Sequence, residues 1–199
     1  MEYDKIISRD FSDGIKIEYG LVKGSCSRVL LIKVGQNGTI YGYENKYLKM
    51  AKQINEKSGI SIVVASNPYD KTDSLRQAIE IIQDECGQIE TIYFMGHSNG
   101  AILGARYAHN HQEIKKLLLI NGPLMINWPQ TKKGLEQFQG ESVIFIYGSK
   151  DPSYRYCGLI ECINSNVAAE LIIVEDADHN FSEMMDEFCE LPGKYLLQK

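Results

Sequence analysis

The sequence predicts an α/β domain in three layers, a mainly parallel sheet between two layers of helices, with an N-terminal strand at the sheet edge. Two observations predict it. Short apolar runs rich in β-branched and aromatic residues alternate along the chain with longer amphipathic stretches, and the loops that follow those runs are rich in Gly, Asn, Asp and Ser. Each parallel strand needs a crossover connection, and helical crossovers bury both sheet faces, so the strands read as continuous apolar runs. A chain of 199 residues, 44% hydrophobic and 24% charged, has the length for one core and the composition to fill it, so residues 1–199 are taken as a single domain.

The first segment, Ile15 to Val22, sets Ile15, Ile17 and Tyr19 against Lys16, Glu18 and Gly20. That alternation is expected of a half-exposed antiparallel strand at the sheet edge. Buried strands are expected over Arg28 to Val34, Ile60 to Ala65, Thr91 to Met95, Lys116 to Ile120, Val143 to Tyr147 and Leu171 to Val174. Helices are expected over Asn45 to Glu56, Ser74 to Asp84, Asn99 to His109 and Tyr154 to Asn164, with a terminal helix starting near Ser182.

A net charge of -5 argues against a nucleic-acid partner, because phosphate neutralisation needs clustered Lys and Arg. The pairs Lys115-Lys116 and Lys132-Lys133 read as solvated surface. Met1-Glu2-Tyr3-Asp4-Lys5 opens the sequence without an apolar stretch behind it, so no secretory signal is read and a soluble, cytoplasmic protein is expected. No apolar run approaches the roughly 18–20 residues of a membrane span. The five cysteines, at 26, 86, 157, 162 and 189, lack CxxC spacing and read as reduced, mostly buried thiols.

In open sheets of this kind, ligands bind at the carboxyl ends of the strands. The loops there are Gly35-Gln36-Asn37-Gly38, Asn67-Pro68-Tyr69-Asp70, Gly96-His97-Ser98-Asn99-Gly100, Asn121-Gly122-Pro123, Gly148-Ser149-Lys150-Asp151 and Glu175-Asp176-Ala177-Asp178-His179. The third is a GxSxG turn set between a strand and a helix, the context a nucleophilic serine requires. The strained turn that lifts Ser98 above the sheet crowds the residues two before and two after it, and Gly96 and Gly100 relieve that crowding. Gly104 and Ala105 continue a small-residue face along the helix. The helix N-terminus favours developing negative charge, and the Asn99 N–H points where an oxyanion would form.

A serine hydroxyl needs a base, and the base a carboxylate. Of four histidines, His97 lies inside the turn and cannot easily fold back on Ser98, and His109 and His111 lie at the far end of the following helix. His179 remains, in a loop after the last strand. Asp151 follows a buried strand and the turn Gly148-Ser149-Lys150, which brings its carboxylate out at the carboxyl edge. Asp176 and Asp178 are rivals for the acid role, or with His179 a metal cluster, but they lack established ligand spacing, and no metal or cofactor is expected. The second oxyanion donor is expected from the Gly35 to Gly38 loop, by position the N–H of Gln36, with Asn37 as the alternative. No P-loop or GxGxxG pattern is present.

With its elbow Gly96-His97-Ser98-Asn99-Gly100, its acid turn Tyr147-Gly148-Ser149-Lys150-Asp151 and its base loop Asp176-Ala177-Asp178-His179, the chain resembles the α/β-hydrolase superfamily from about Val29 to His179. The order Ser98, Asp151, His179 is that family's order. The resemblance implies a serine esterase or thioesterase acting on a small acyl substrate through an acyl-enzyme. Two departures stand out. Lys33-Val34-Gly35 replaces the His-Gly that members often carry, and residues 121–141 leave room only for a minimal cap of one loop and one helix. These motivate an alternative, a non-catalytic relative that binds a small molecule or a protein in the same cleft. Met125 and Trp128, with Ile126, are candidates for a substrate pocket or for helix packing, and Tyr41 and Tyr43 for substrate contacts or the entry to the next helix.

Overall fold

The computed structural model describes residues 1–12, 14–24, 27–68 and 73–197. Tyr69 and Asp70 of the second loop, and Cys26, lie outside the described residues. Among the described residues, eight strands form one sheet: β1 (Lys5–Ser12), β2 (Ile15–Val22), β3 (Arg28–Lys33), β4 (Ser61–Ala65), β5 (Thr91–His97), β6 (Ile114–Ile120), β7 (Ser142–Gly148) and β8 (Ala168–Val174), in the spatial order β1-β2-β4-β3-β5-β6-β7-β8. The β1–β2 and β2–β4 pairs are antiparallel and all others parallel.

Both faces of the central strands are buried because successive side chains alternate between two cores. On β3, Leu30 and Ile32 enter the core with helices α1 (Lys46–Ser58) and α5 (Met185–Tyr195), whereas Val29 and Leu31 enter the one with α2 (Leu75–Cys86), α3 (Asn99–Tyr107) and α4 (Trp128–Gln137). The helices supply matching stripes, Tyr47, Met50, Ala51 and Ile54 on α1 and Leu75, Ala78, Ile79 and Ile82 on α2. The three-layer α/β/α architecture with a mainly parallel sheet follows.

Three details differ from the sequence expectations. Ile15 to Val22 is antiparallel but is not the edge, because β1 pairs outside it from Lys5↔Leu21 to Ser12↔Ile15. β1 buries nothing fully, so its sequence carries no clean alternation. The Tyr154 to Asn164 helix is instead a run of 3-10 turns over Pro152–Cys162, opened by the Asp151 carboxylate accepting the Ser153 N–H at 2.6 Å. Ser153 is its one buried residue, so no apolar face holds a regular helix there. Of the described cysteines only Cys189 is buried; Cys86 and Cys157 are half-buried and Cys162 is exposed.

Among the described residues no helix is long and apolar enough to cross a membrane. Strand order reverses at β3, which has β4 on one side and β5 on the other. The loops after β3 and β5 therefore diverge to opposite faces and leave a crevice at the carboxyl edge.

Candidate active site

Ser98 sits between β5 and α3 with φ 56° and ψ -119°, a left-handed-side conformation that a residue with a Cβ rarely adopts. Its N–H donates to the Ile120 carbonyl at 2.8 Å, which locks the turn to the neighbouring strand. The flanking glycines are sterically required. A Cβ on Gly96 would come within 2.5 Å of the Gly100 carbonyl oxygen, and one on Gly100 would overlap the Lys33 carbonyl.

The His179 Nε2 lies 2.9 Å from the Ser98 Oγ, and its Nδ1 is hydrogen-bonded to the Asp151 carboxylate. Because that carboxylate accepts, Nδ1 carries the proton and Nε2 is left to accept from the serine hydroxyl. Asp151 is 4% exposed, and its other oxygen is held by the Ser153 N–H. Asp176 instead pairs with Lys150 at 2.8 Å, and Asp178 accepts the N–H groups of Asn180 and Ser182, so neither rival carboxylate engages His179 through its side chain. The structure thus brings Ser98, His179 and Asp151 together from three loops.

Asn99 N–H opens α3, where the first N–H groups have no partner within the helix. In the loop after β3, Asn37 N–H is taken by the Asn67 carbonyl at 2.7 Å. Gln36 lines the cleft beside Ser98, and among the described residues its N–H has no acceptor. That cleft, about 550 Å³, is walled by the Gly35–Gly38 loop, Tyr43, Lys46, Tyr47, Ser98 and His179, a volume suited to a small molecule. Met125 and Trp128 are not among its lining residues. Arg106 on α3 donates to the Ile126 carbonyl and, at 3.1 Å, to the Thr131 hydroxyl, and Trp128 packs on the α2–α3–α4 core, so residues 121–141 form part of that helical layer. Tyr43 is on the cleft wall, whereas Tyr41 packs on the Tyr3 ring, 5.5 Å between centroids.

Four supporting side chains, His97, Tyr47, Asn121 and Asn67, were not singled out for their roles by the sequence. His97 is 3% exposed; its Nε2 donates to the His179 carbonyl at 2.8 Å, and its Nδ1 accepts from the Tyr47 hydroxyl at 3.0 Å. A carbonyl can only accept, which fixes His97 as the neutral Nε2–H tautomer. Burial, assisted by the Lys46 charge, pushes its pKa down to about 3. Asn121, fully buried, donates to the Asp178 and His179 carbonyls at 3.2 and 3.0 Å and accepts the Gly148 N–H at 2.9 Å, joining β7 to the loop after β8. Asn67 donates to the Val34 carbonyl and to the Asn99 side chain at 3.0 and 2.9 Å, tying the Gly35–Gly38 loop to the start of α3. Asn67 and Asn121 each end a buried strand with an amide, the one pattern that could have flagged them. His111, by contrast, pairs with Asp73 at 3.2 Å beyond the far end of α3, whose 9 residues rise roughly 14 Å from the elbow.

No protein-family model matches the chain, and no curated protein matches it in sequence. Solved structures do match. The esterase Est1E from Butyrivibrio proteoclasticus superposes with a TM-score of 0.76 at 16% identity, over 96% of this chain and 97% of that one. An α/β serine hydrolase homologue from Coxiella burnetii gives 0.74 at 17% identity, over 98% and 99%. Dienelactone hydrolase from Anabaena variabilis gives 0.69 at 13% identity, over 97% of each chain. With its strand order, its elbow and these whole-length superpositions, the chain has the α/β-hydrolase fold.

Proposed function

We propose that the protein is a serine hydrolase that cleaves carboxylic esters or thioesters of small acyl groups through an acyl-enzyme on Ser98. The observation that carries this reading is the 2.9 Å contact between Ser98 Oγ and a His179 ring whose other nitrogen is held by buried Asp151. His179 Nε2 takes the hydroxyl proton as Oγ attacks the acyl carbon, and the charge that grows on the carbonyl oxygen is met by the N–H groups of Asn99 and Gln36. The imidazolium is stabilised by Asp151 and returns its proton to the leaving alcohol or thiol as the bond to the acyl carbon breaks. Water, deprotonated by His179, then attacks the acyl-enzyme and releases the acid and the free serine.

The test is fluorophosphonate labelling and turnover of a series of p-nitrophenyl esters and acyl thioesters of graded length. The wild type is expected to label and turn over, and Ser98→Ala to do neither. His179→Ala should lower kcat by about 10³-fold or more. Labelling and turnover that survive in Ser98→Ala would overturn the proposal. A wild type inert to every probe would indicate a binding protein built on the same cleft.

A further inference from the structure

The cleft beside Ser98 has an unbalanced charge. The protein carries 26 acidic residues against 21 basic ones, yet among the described residues lining this cleft there is no carboxylate, and the one Lys or Arg is Lys46. Lys46 is 3% exposed, at the first position of α1. Its Nζ donates to the Asn180 carbonyl at 3.3 Å and lies 4.6 Å from the Phe188 ring centre and 5.3 Å from that of Tyr47. Among the described residues no carboxylate pairs with it. Asp178, the carboxylate whose charge acts on Lys46 after the Cys189 thiol, spends its Oδ1 closing its own turn through the Asn180 and Ser182 N–H groups.

A buried cation usually has an anionic partner, because leaving water costs it several kcal/mol that a carbonyl and two ring faces only partly offset. An ammonium has three N–H donors, and the protein occupies one with an oxygen. Burial accordingly pulls the Lys46 pKa down to about 8, so the site holds its charge at a cost that an incoming anion would relieve. A single ammonium without a second cation matches one carboxylate; a phosphate dianion is ordinarily met by an Arg fork or a set of backbone N–H groups.

We propose that the substrates of this cleft carry a free carboxylate besides the ester, and that Lys46 is the specificity-determining residue that recognises it. This rests on the serine hydrolase reading for the ester, but not for the anion. A purely structural Lys46, strapping the Asn180 carbonyl, would hold the base loop equally for charged and neutral substrates, so the two roles separate in a ratio of rates.

The experiment compares kcat/KM for matched pairs, each corrected for its enzyme-free rate. One pair puts the charge on the acyl side, p-nitrophenyl hemiglutarate against p-nitrophenyl pentanoate. The other puts it on the leaving group, 4-acetoxybenzoate against its methyl ester. The wild type is expected to favour the charged member of at least one pair by tenfold or more. In Lys46→Met that ratio should fall to near one, and Lys46→Arg should keep most of it. A wild-type ratio near one in both pairs overturns the proposal, as does a ratio unchanged in Lys46→Met. If Lys46→Met does not fold, the wild-type ratios and Lys46→Arg decide. Calorimetric titration of Ser98→Ala with glutarate, against the Ser98→Ala/Lys46→Met double variant, separates the two readings. If no ester is turned over, glutarate binding that depends on Lys46 sustains the anion site, and its absence removes it.

Discussion

The surroundings of His97 have a thermodynamic consequence. It is held neutral with a pKa of about 3, against about 6.5 in an unfolded chain. The folded pKa is the depressed one, so its contribution is complete above pH 6.5 and is lost as pH falls toward 3. From this group alone, stability should drop by about 2 kcal/mol between pH 6.5 and pH 5. Urea unfolding at the two pH values, on wild type and His97→Gln, checks it; equal pH slopes in the two proteins would refute it. Nothing local in the sequence marks this residue. Its partners are Tyr47, fifty positions earlier, and the carbonyl of His179, eighty-two later, and a bond to a distant backbone oxygen leaves no pattern in residue types. The placement of Ser98, Asp151 and His179 at the carboxyl edge was legible for the opposite reason: each depends on a short local pattern, a strand followed by a turn, that survives in one dimension.

Among the elements, the unit β5–elbow–α3 is the most tightly specified. Gly100 lies against the Lys33 carbonyl of β3, which is backbone and cannot swing away, so Gly100→Ala should cost about 2 kcal/mol or more. Gly193, within α5 and with open space where a Cβ would stand, is its contrast. There Gly193→Ala should add up to about 1 kcal/mol by helix propensity. Chemical denaturation of both variants checks the pair, and a tolerated Gly100→Ala would mean the turn is less constrained than its contacts imply. The buried strands were readable because burial on two faces makes apolar runs. β1 was not, since Lys5, Arg9 and Asp10 interrupt both of its faces. The helix expected at Tyr154 to Asn164 failed because periodicity alone cannot report whether anything lies opposite to pack against.

For the whole molecule, strand alternation implied parallel pairing, but the order β4-β3-β5 is a property of the packed sheet, and with it the crevice into which Gln36 and Ser98 both open. Met125 and Trp128 were candidates by chain position, and Arg106, which draws their segment onto α3, acts across 20 residues or more. Because the site joins loops from β3, β5, β7 and β8, fluorophosphonate labelling in a urea series should disappear in the same transition as the far-ultraviolet circular dichroism. Labelling lost at clearly lower urea would instead mean that the base loop opens as a separate unit. The bond from His97 to the His179 carbonyl and the two from Asn121 to the same loop also have a meaning in time. Emerging from the ribosome, the chain presents Ser98 some eighty residues before it can present His179, at about 5–20 residues per second. For those several seconds the Ser98 hydroxyl has no His179 imidazole to accept its proton, so the chemistry proposed for the folded protein has no means to begin.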